Sequence, residues 1–319
     1  MARKRVMEVI EKPPRRSAKQ TFLLFKRQFA LQVMALMGVA WLIIFAYIPM
    51  PGIWIAFTEY KVSKGIFGGE FVGLKHFRDF LTDPMIPLAI RNTLGISLLN
   101  LTFGFVAPII FALMLNEMRN QKFKKVTQTI SYLPYFISWV ILGGFMISWM
   151  SEFGLINNFL MKMGLIEKPL FLLGEPKYFW GVSVVSGIWK GLGWGSIIYL
   201  ASIASVSPEL FESAMLDGAG RMRRIWHIIL PCIRPTIAIL FTFAVAGVLS
   251  SNFDQIMVLQ NNVNRPASTV LNIYVFRVGI QMGRFAYSTA VSLLTSLVSL
   301  VLLVVASKVS DRLTGTSFL

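Results

Sequence analysis

The chain has 319 residues, of which 55% are hydrophobic and only 14% charged, against the roughly 25% charged residues of an ordinary soluble domain. Its 31 Lys and Arg against 15 Asp and Glu give a net charge of +16; in a chain this apolar, that points to basic residues gathered at one membrane face rather than to a nucleic-acid binder. A single cysteine, Cys232, excludes an internal disulfide framework, and two histidines, His76 and His227, leave almost no material for a metal site.

Residues 1–30 are basic and precede a long apolar run. The basic stretch is too long for a signal peptide and no A-x-A-like site closes the run, so it reads as an uncleaved cytoplasmic segment. Residues 21–29 fit an interfacial amphipathic helix with Lys26 and Arg27 toward lipid phosphates; a flexible basic tail is the alternative for the residues before 18. A membrane helix needs about 20 mostly apolar residues. Six stretches meet this: 31–57, 92–115, 126–151, 178–206, 235–253 and 285–307, with Lys190 the one charge inside any of them. The chain therefore reads as an all-α, polytopic protein with a six-span domain over 31–307 and a short tail, 308–319. Pro49 and Pro51 predict a bend or an end in the first span, and 71–81 predicts a short helix outside the membrane.

The pieces that lie inside when the N-terminus is cytoplasmic carry 19 Lys and Arg, and the outer pieces carry 11, with acids split 7 and 8. Both termini are thus expected in the cytoplasm of a plasma-membrane protein. No lysine is followed by Ser or Thr, so the Gly-Lys-Ser/Thr of a P-loop is absent, as are G-x-S-x-G and H-E-x-x-H. No enzyme and no cofactor site is expected in this chain. Energy for driven transport would come from a partner or an ion gradient.

The long loop 207–234 is the most informative segment. Ser207 suits an N-cap, Pro208 the first helical position, and Glu209 and Glu212 the early turns where the helix dipole favours acids. Gly218 and Gly220 offer a stop, and a second helix over 222–230 would end at Pro231. The expectation is a helix–turn–helix on the cytoplasmic face, with small and polar surface for another protein to grip.

This loop resembles the EAA loop of binding-protein-dependent ABC importer permeases. Glu212-Ser213-Ala214, three residues, Gly218, nine residues and Ile228-Ile229-Leu230-Pro231 reproduce the family spacing, and Asp217-Gly218-Ala219 matches its Asp-Gly-Ala. Ser213 for the first alanine is the one departure. Phe71-Val72-Gly73-Leu74-Lys75-His76-Phe77 and Ile90-Arg91-Asn92-Thr93 look like sugar permeases of the maltose MalF and glycerol-phosphate UgpA type. Ile188-Trp189-Lys190 and Ile197-Ile198-Tyr199-Leu200 look like the LplB-like subgroup that imports polysaccharide-derived oligosaccharides.

The resemblance implies the type I ABC importer fold and the permease half of an ATP-driven, binding-protein-dependent oligosaccharide importer. Its partners would be a second homologous permease subunit, two cytoplasmic ATPase subunits that bind the ATP and Mg, and an extracellular solute-binding protein. Glu212, Ser213, Ala214, Asp217, Gly218 and Pro231 would form the ATPase-coupling set. Substrate contacts would fall at Gly191 and Trp194 in the fourth span and at Val248 and Ser251 in the fifth, with Asn252, Asp254 and Gln255 at its outer end.

Gly187, Gly191 and Gly195 share one helix face, which suits close helix packing or a flat wall of the sugar path. Trp194 could stack on a pyranose, pack, or anchor at the interface. Ser288, Ser292, Thr295 and Ser299 form a hydroxyl stripe, either on the path or bonding backbone carbonyls. Lys190 has three readings: snorkelling to the outer interface, bonding carbonyls of the partner permease, or attracting sugar in the cavity. With Arg265, Arg277 and Arg284 outside, the last reading extends to acidic, uronate-containing chains. The rival class, a secondary transporter driven by an ion gradient, would need buried carboxylates, and no acid lies in any predicted span.

Overall fold

A computed structural model describes residues 27–314 of the chain. They divide between Trp54 and Ile55 into two compact units. The first carries helix α1, Phe29–Leu42, which passes into a π-helical turn, Ile43–Tyr47. Near Pro49 and Pro51 the winding tightens to 3₁₀ over Met50–Phe57, the expected response to two prolines. Of the predicted amphipathic helix over 21–29, all but its last residues lie outside the described part.

The second unit opens with a two-stranded antiparallel pair, β1 (Thr58–Glu59) and β2 (Glu70–Phe71), with Thr58 opposite Phe71. Gly73 turns at φ 59° into α2, Lys75–Thr82. The expected helix over 71–81 thus begins four residues late, because Phe71 is committed to the strand pair. Lys75 pairs with Glu59, whose carboxyl lies below its ordinary range through that hydrogen bond. His76 Nε2 lies 3.1 Å from the Thr58 carbonyl.

The second span comprises α3 (Ile86–Leu99), a π turn (Asn100–Gly104) and α4 (Val106–Glu117). The third departs from expectation. Residues 126–151 are not one rod: α5 (Gln121–Phe136) and α6 (Trp139–Trp149) meet at 101°. Pro134 lies in the last turn of α5, Ile137 and Ser138 are extended, and the Ser138 hydroxyl accepts the Ile141 amide to start α6. A short helix, α7 (Leu155–Lys162), follows.

Helix α8, Pro176–Ala204, is 29 residues long, about 44 Å at 1.5 Å per residue and enough to cross the roughly 30 Å hydrocarbon layer. Among the described residues four other helices pass on both length and apolarity: Phe29–Phe57, Ile86–Glu117, Arg221–Leu249 and Phe285–Arg312; the bent α5–α6 pair is apolar and long enough taken together, as a broken span or a re-entrant loop. Among the described residues α8 is long enough but less apolar. It is an interior helix, burying Ser183, Ser186, Lys190, Gly193 and Ser196, and helix–helix contacts in a membrane favour small and polar residues.

After α9 (Pro208–Leu216), the chain re-enters through α10 (Arg221–Arg224), a π turn (Ile225–Ile229), α11 (Leu230–Ala246) and a 3₁₀ turn (Gly247–Leu249). Pro231 therefore does not end a second loop helix as expected. It and Pro235 sit within one continuous shaft, where the π turn and burial of Ile229 and Ile233 keep the helix intact. The fifth span correspondingly starts earlier than residue 235. Short helices α12 (Phe253–Leu259), α13 (Arg265–Ser268) and α14 (Leu271–Phe276), with a π turn at Arg277–Gln281, precede α15, Phe285–Thr314.

Helix α8 ties the core together. Phe179, Val182 and Val184 pack in one cluster with Leu142, Met146 and Ile256, while Tyr199 and Ile203 pack in another with Ala112, Ile229 and Ile233. Asn92 donates to the Pro266 and Thr269 carbonyls, Thr93 accepts the Leu271 amide at 2.8 Å, and Trp180 donates to Ala267. These bonds give the Asn92-Thr93 pair its physical role of seating the α13 segment on the second and fourth spans.

Among the glycines of α8 the tightest contact is at Gly193, off the face shared by Gly187, Gly191 and Gly195. A Cβ on Gly193 would come within 2.3 Å of the Ser131 carbonyl, whereas one on Gly191 meets nothing within 4 Å. Gly193→Ala should destabilise the protein by about 1–3 kcal/mol through overpacking, and Gly191→Ala should be neutral or slightly stabilising. Thermal unfolding in detergent checks this; equal midpoints for both variants would contradict the packing.

Candidate functional site

The loop helix α9 is built as its sequence suggests, with two differences. Pro208 opens it and Glu209 lies in the first turn, but the Ser207 hydroxyl makes no capping bond. At the other end Gly218 turns at φ 74°, while Gly220 is extended at φ −66° and starts α10. The Ala219 amide bonds the Ala214 carbonyl at 2.8 Å and the Gly218 amide bonds Met215 at 3.1 Å, the paired closure of a Schellman motif. Gly218 is thus demanded by backbone geometry, whatever else it touches.

Phe211 packs against the cluster of Tyr199, Ile203, Ile229 and Ile233 and so fastens one face of α9 to the membrane part. The other faces are open. Glu212, Ser213, Asp217 and Gly218 are exposed, Ala214 is half-buried, and Leu216 is 90% exposed. With Met215 and Leu210, also exposed, this leucine gives α9 an uncovered apolar surface. Arg221 lies 3.9 Å from Glu117 and links this loop to the end of α4. Pro231 lies on the shaft about three turns beyond Gly220, away from the exposed helix.

The residues nominated for a substrate path separate into two groups. Val248, Ser251 and Asn252 line one cavity of about 210 Å³ with Ser97 and Asn100 of the second span. It forms where the fifth span unwinds: the 3₁₀ turn ends at Leu249 and Ser250 is extended. Ser251 Oγ is buried without a partner there, and Asn252 caps α12 by accepting the Gln255 amide. Ser250 also borders a larger cavity of about 630 Å³, lined by Ser288, Ser292, Thr295 and Ser299 together with Asn272. Ser288 and Thr295 bond their own helix at Phe285 and Val291. Asp254 is exposed in the first turn of α12.

Lys190 and Trp194 belong to the second group. The Lys190 ammonium donates to the carbonyls of Pro134 at 3.0 Å, Tyr135 at 2.7 Å and Ile137 at 2.6 Å. The rings of Tyr135 and Trp139 lie 5.4 and 5.6 Å away. This is a fourth placement, different from the three expected: the lysine neither snorkels nor waits for a partner subunit, and its three donors are taken by its own chain. Its positive charge faces the carbonyl end of α5, where the helix dipole favours a cation. Trp194 stacks on Tyr135 at 4.6 Å and 5°, with Phe136 edge-on, so one face of the indole is already covered. Gly187 faces the Gln255 amide, which donates to the Ser183 carbonyl and Ser186 hydroxyl, and Gly195 faces Pro108.

Tyr135 and Trp139 were not singled out from the sequence. The signal was present as Pro134 inside an apolar run, a break whose exposed carbonyls need a donor, and Lys190 as the one charged donor in any span.

The sequence pattern described as binding-protein-dependent transport system inner membrane component matches residues 104–315. The chain is 40% identical to the polygalacturonan/rhamnogalacturonan transport system permease protein YteP of Bacillus subtilis, over 90% of this chain and 89% of that one. It is 38% identical to protein LplB of the same organism, over 90% of each. A crystal structure of a bacterial ABC transporter for import of the acidic polysaccharide alginate contains a chain of the same fold, with TM-score 0.83, 37% identity and coverage of 92% of this chain and 99% of that one.

Lys190→Met should lower stability by about 1–3 kcal/mol, because the part-buried carbonyls of Tyr135 and Ile137 lose their donor, and Lys190→Arg should recover part of it. Thermal unfolding of the detergent-solubilised protein checks this. A Met variant as stable as the parent would remove the clamp.

Proposed function

The chain belongs to the family of inner membrane components of binding-protein-dependent transport systems, and from that premise we propose that it imports polysaccharide-derived oligosaccharides, including acidic ones, as one of two homologous permease subunits. Two cytoplasmic ATPases bind ATP and Mg, and this chain holds no cofactor. An extracellular solute-binding protein delivers the sugar, and both termini face the cytoplasm.

The observation that carries this reading is α9: a short helix with an exposed leucine and acidic flank, closed by Gly218 and backed by Phe211. Closure of the ATPases on this helix is passed through Phe211 to α8 and the Arg221–Leu249 shaft, which meet in the same cluster. The unwound stretch after Leu249 lies in that shaft's path and opens on the cavity of Val248, Ser251 and Asn252. Movement of the shaft therefore reshapes the cavity, which is alternating access driven from the cytoplasmic side. The relatives named for polygalacturonan and alginate transport support the substrate class.

The test is reconstitution of the complete transporter in liposomes. Uptake of a labelled oligosaccharide should require both ATP and the binding protein. Glu212→Lys and Leu216→Asp should leave the protein inserted but lower ATPase association and uptake at least tenfold, because reversed or buried charge on a docking face is poorly accommodated. Wild-type uptake by both variants would refute the coupling assignment.

A further inference from the structure

The segment between the fifth and sixth spans holds a third, smaller cavity of about 190 Å³, which the function proposed above does not use. Two arginines enter it from different helices, Arg265 at the start of α13 and Arg277 at the end of α14, and the side-chain amides of Gln260, Asn261, Asn262 and Gln281 complete its polar lining. Arg277 donates to Gln260 Oε1 at 2.7 Å, which orients the guanidinium. Among the described residues no carboxylate forms an ion pair with either arginine. Arg277 lies in a π-helical turn, an irregularity that recurs at functional sites.

Two guanidinium groups brought to one pocket without an acid repel each other, and burial adds to the cost. The Arg277 guanidinium is accordingly held below its ordinary range, by burial first and then by Arg265. An anion entering between them relieves both effects, and the planar guanidinium fork is the side chain best matched to a carboxylate. The amides of Asn262 and Gln281 match a ring bearing several hydroxyls, while those of Gln260 and Asn261 are already bonded within the protein and shape the pocket. At about 190 Å³ the cavity is small, so it would take one end of a chain rather than its length.

We propose that the Arg265–Arg277 pocket is a carboxylate-binding subsite for one uronate unit of an acidic oligosaccharide, receiving the chain on the outer face before it reaches the cavity at Ser251. The inference rests on the importer reading above. It adds a residue-level basis for charge selection that Lys190, saturated by backbone carbonyls, does not supply.

The experiment measures uptake of trigalacturonate and of its methyl ester, which has the same shape without the charge, by the complete transporter in liposomes. In the parent, the acid should be favoured over the ester. Arg277→Gln and, separately, Arg265→Gln should reduce the acid-to-ester uptake ratio about tenfold, the effect of losing one charge-assisted hydrogen bond, and Arg277→Lys should restore part of it. Arg265 is exposed, so its variant keeps the test alive if the Arg277 variant fails to assemble. A ratio unchanged in the glutamine variants, or acid and ester uptake falling together, overturns the subsite while leaving the importer reading standing. ATP-dependent uptake of neither compound nor of any neutral oligosaccharide by the parent would instead overturn the importer reading itself.

Discussion

A backbone carbonyl inside a membrane must find a donor within the protein, because the hydrocarbon offers none. This chain breaks that regularity at the third span, where α5 and α6 meet at 101°, leaving the Pro134 carbonyl with a single 3.3 Å bond from the Ile137 amide and those of Tyr135 and Ile137 to the lysine. Lys190 supplies all three donors from the fourth span. The cost of burying an ammonium and the cost of leaving the bend's carbonyls short of donors offset one another. The rings of Tyr135 and Trp139 lie within 5.6 Å of the ammonium, and Trp194 stacks on Tyr135. Gly193 then lets α8 approach the backbone of α5 closely enough for the lysine to reach.

The same helix sets the rest of the architecture. Its buried serines take the Gln255 amide and so hold α12, its first turns pack on α6, and its last turns meet α4 and the Arg221–Leu249 shaft. The loop helix α9 follows directly and is held by Phe211 on that last cluster. Rigid support on one side and exposed contact residues on the other are what a helix needs to transmit a push rather than absorb it. Where the fifth span unwinds beyond Leu249, a motion passed along it under the proposed coupling would meet a cavity rather than packed side chains.

Much of this was legible from residue pattern. Long charge-free runs located the membrane helices, since apolarity over 20 residues has few other meanings. The spacing from Glu212 through Gly218 located α9 and its glycine stop, because only a left-handed turn closes the helix there. Helix interruptions were harder to see. The bend at Ile137 depends on Pro134, the Ser138 cap and a lysine more than 50 residues away, and no local window contains all three. Pro231 misled in the opposite direction: it reads as a stop, yet the π turn before it absorbs the irregularity. The strand pair of Thr58 and Phe71 was invisible because two-residue strands carry no periodicity. The hydroxyl stripe and Ser251 came from opposite ends of the last outer segment, and only the fold shows that their two cavities share Ser250.

The central claim is that α9 is the contact through which the ATPase subunits drive the membrane helices. It is tested most directly by cross-linking in the assembled complex, with Cys232 replaced by serine and one new cysteine at Leu216. A short bifunctional thiol reagent should join this position to a cysteine placed in the cleft of the ATPase, with a yield that changes when ATP closes the ATPase pair. A cysteine at Phe153, equally exposed at 86%, should give no such product. Cross-linking to the ATPase from Phe153 but not from Leu216 would contradict the account.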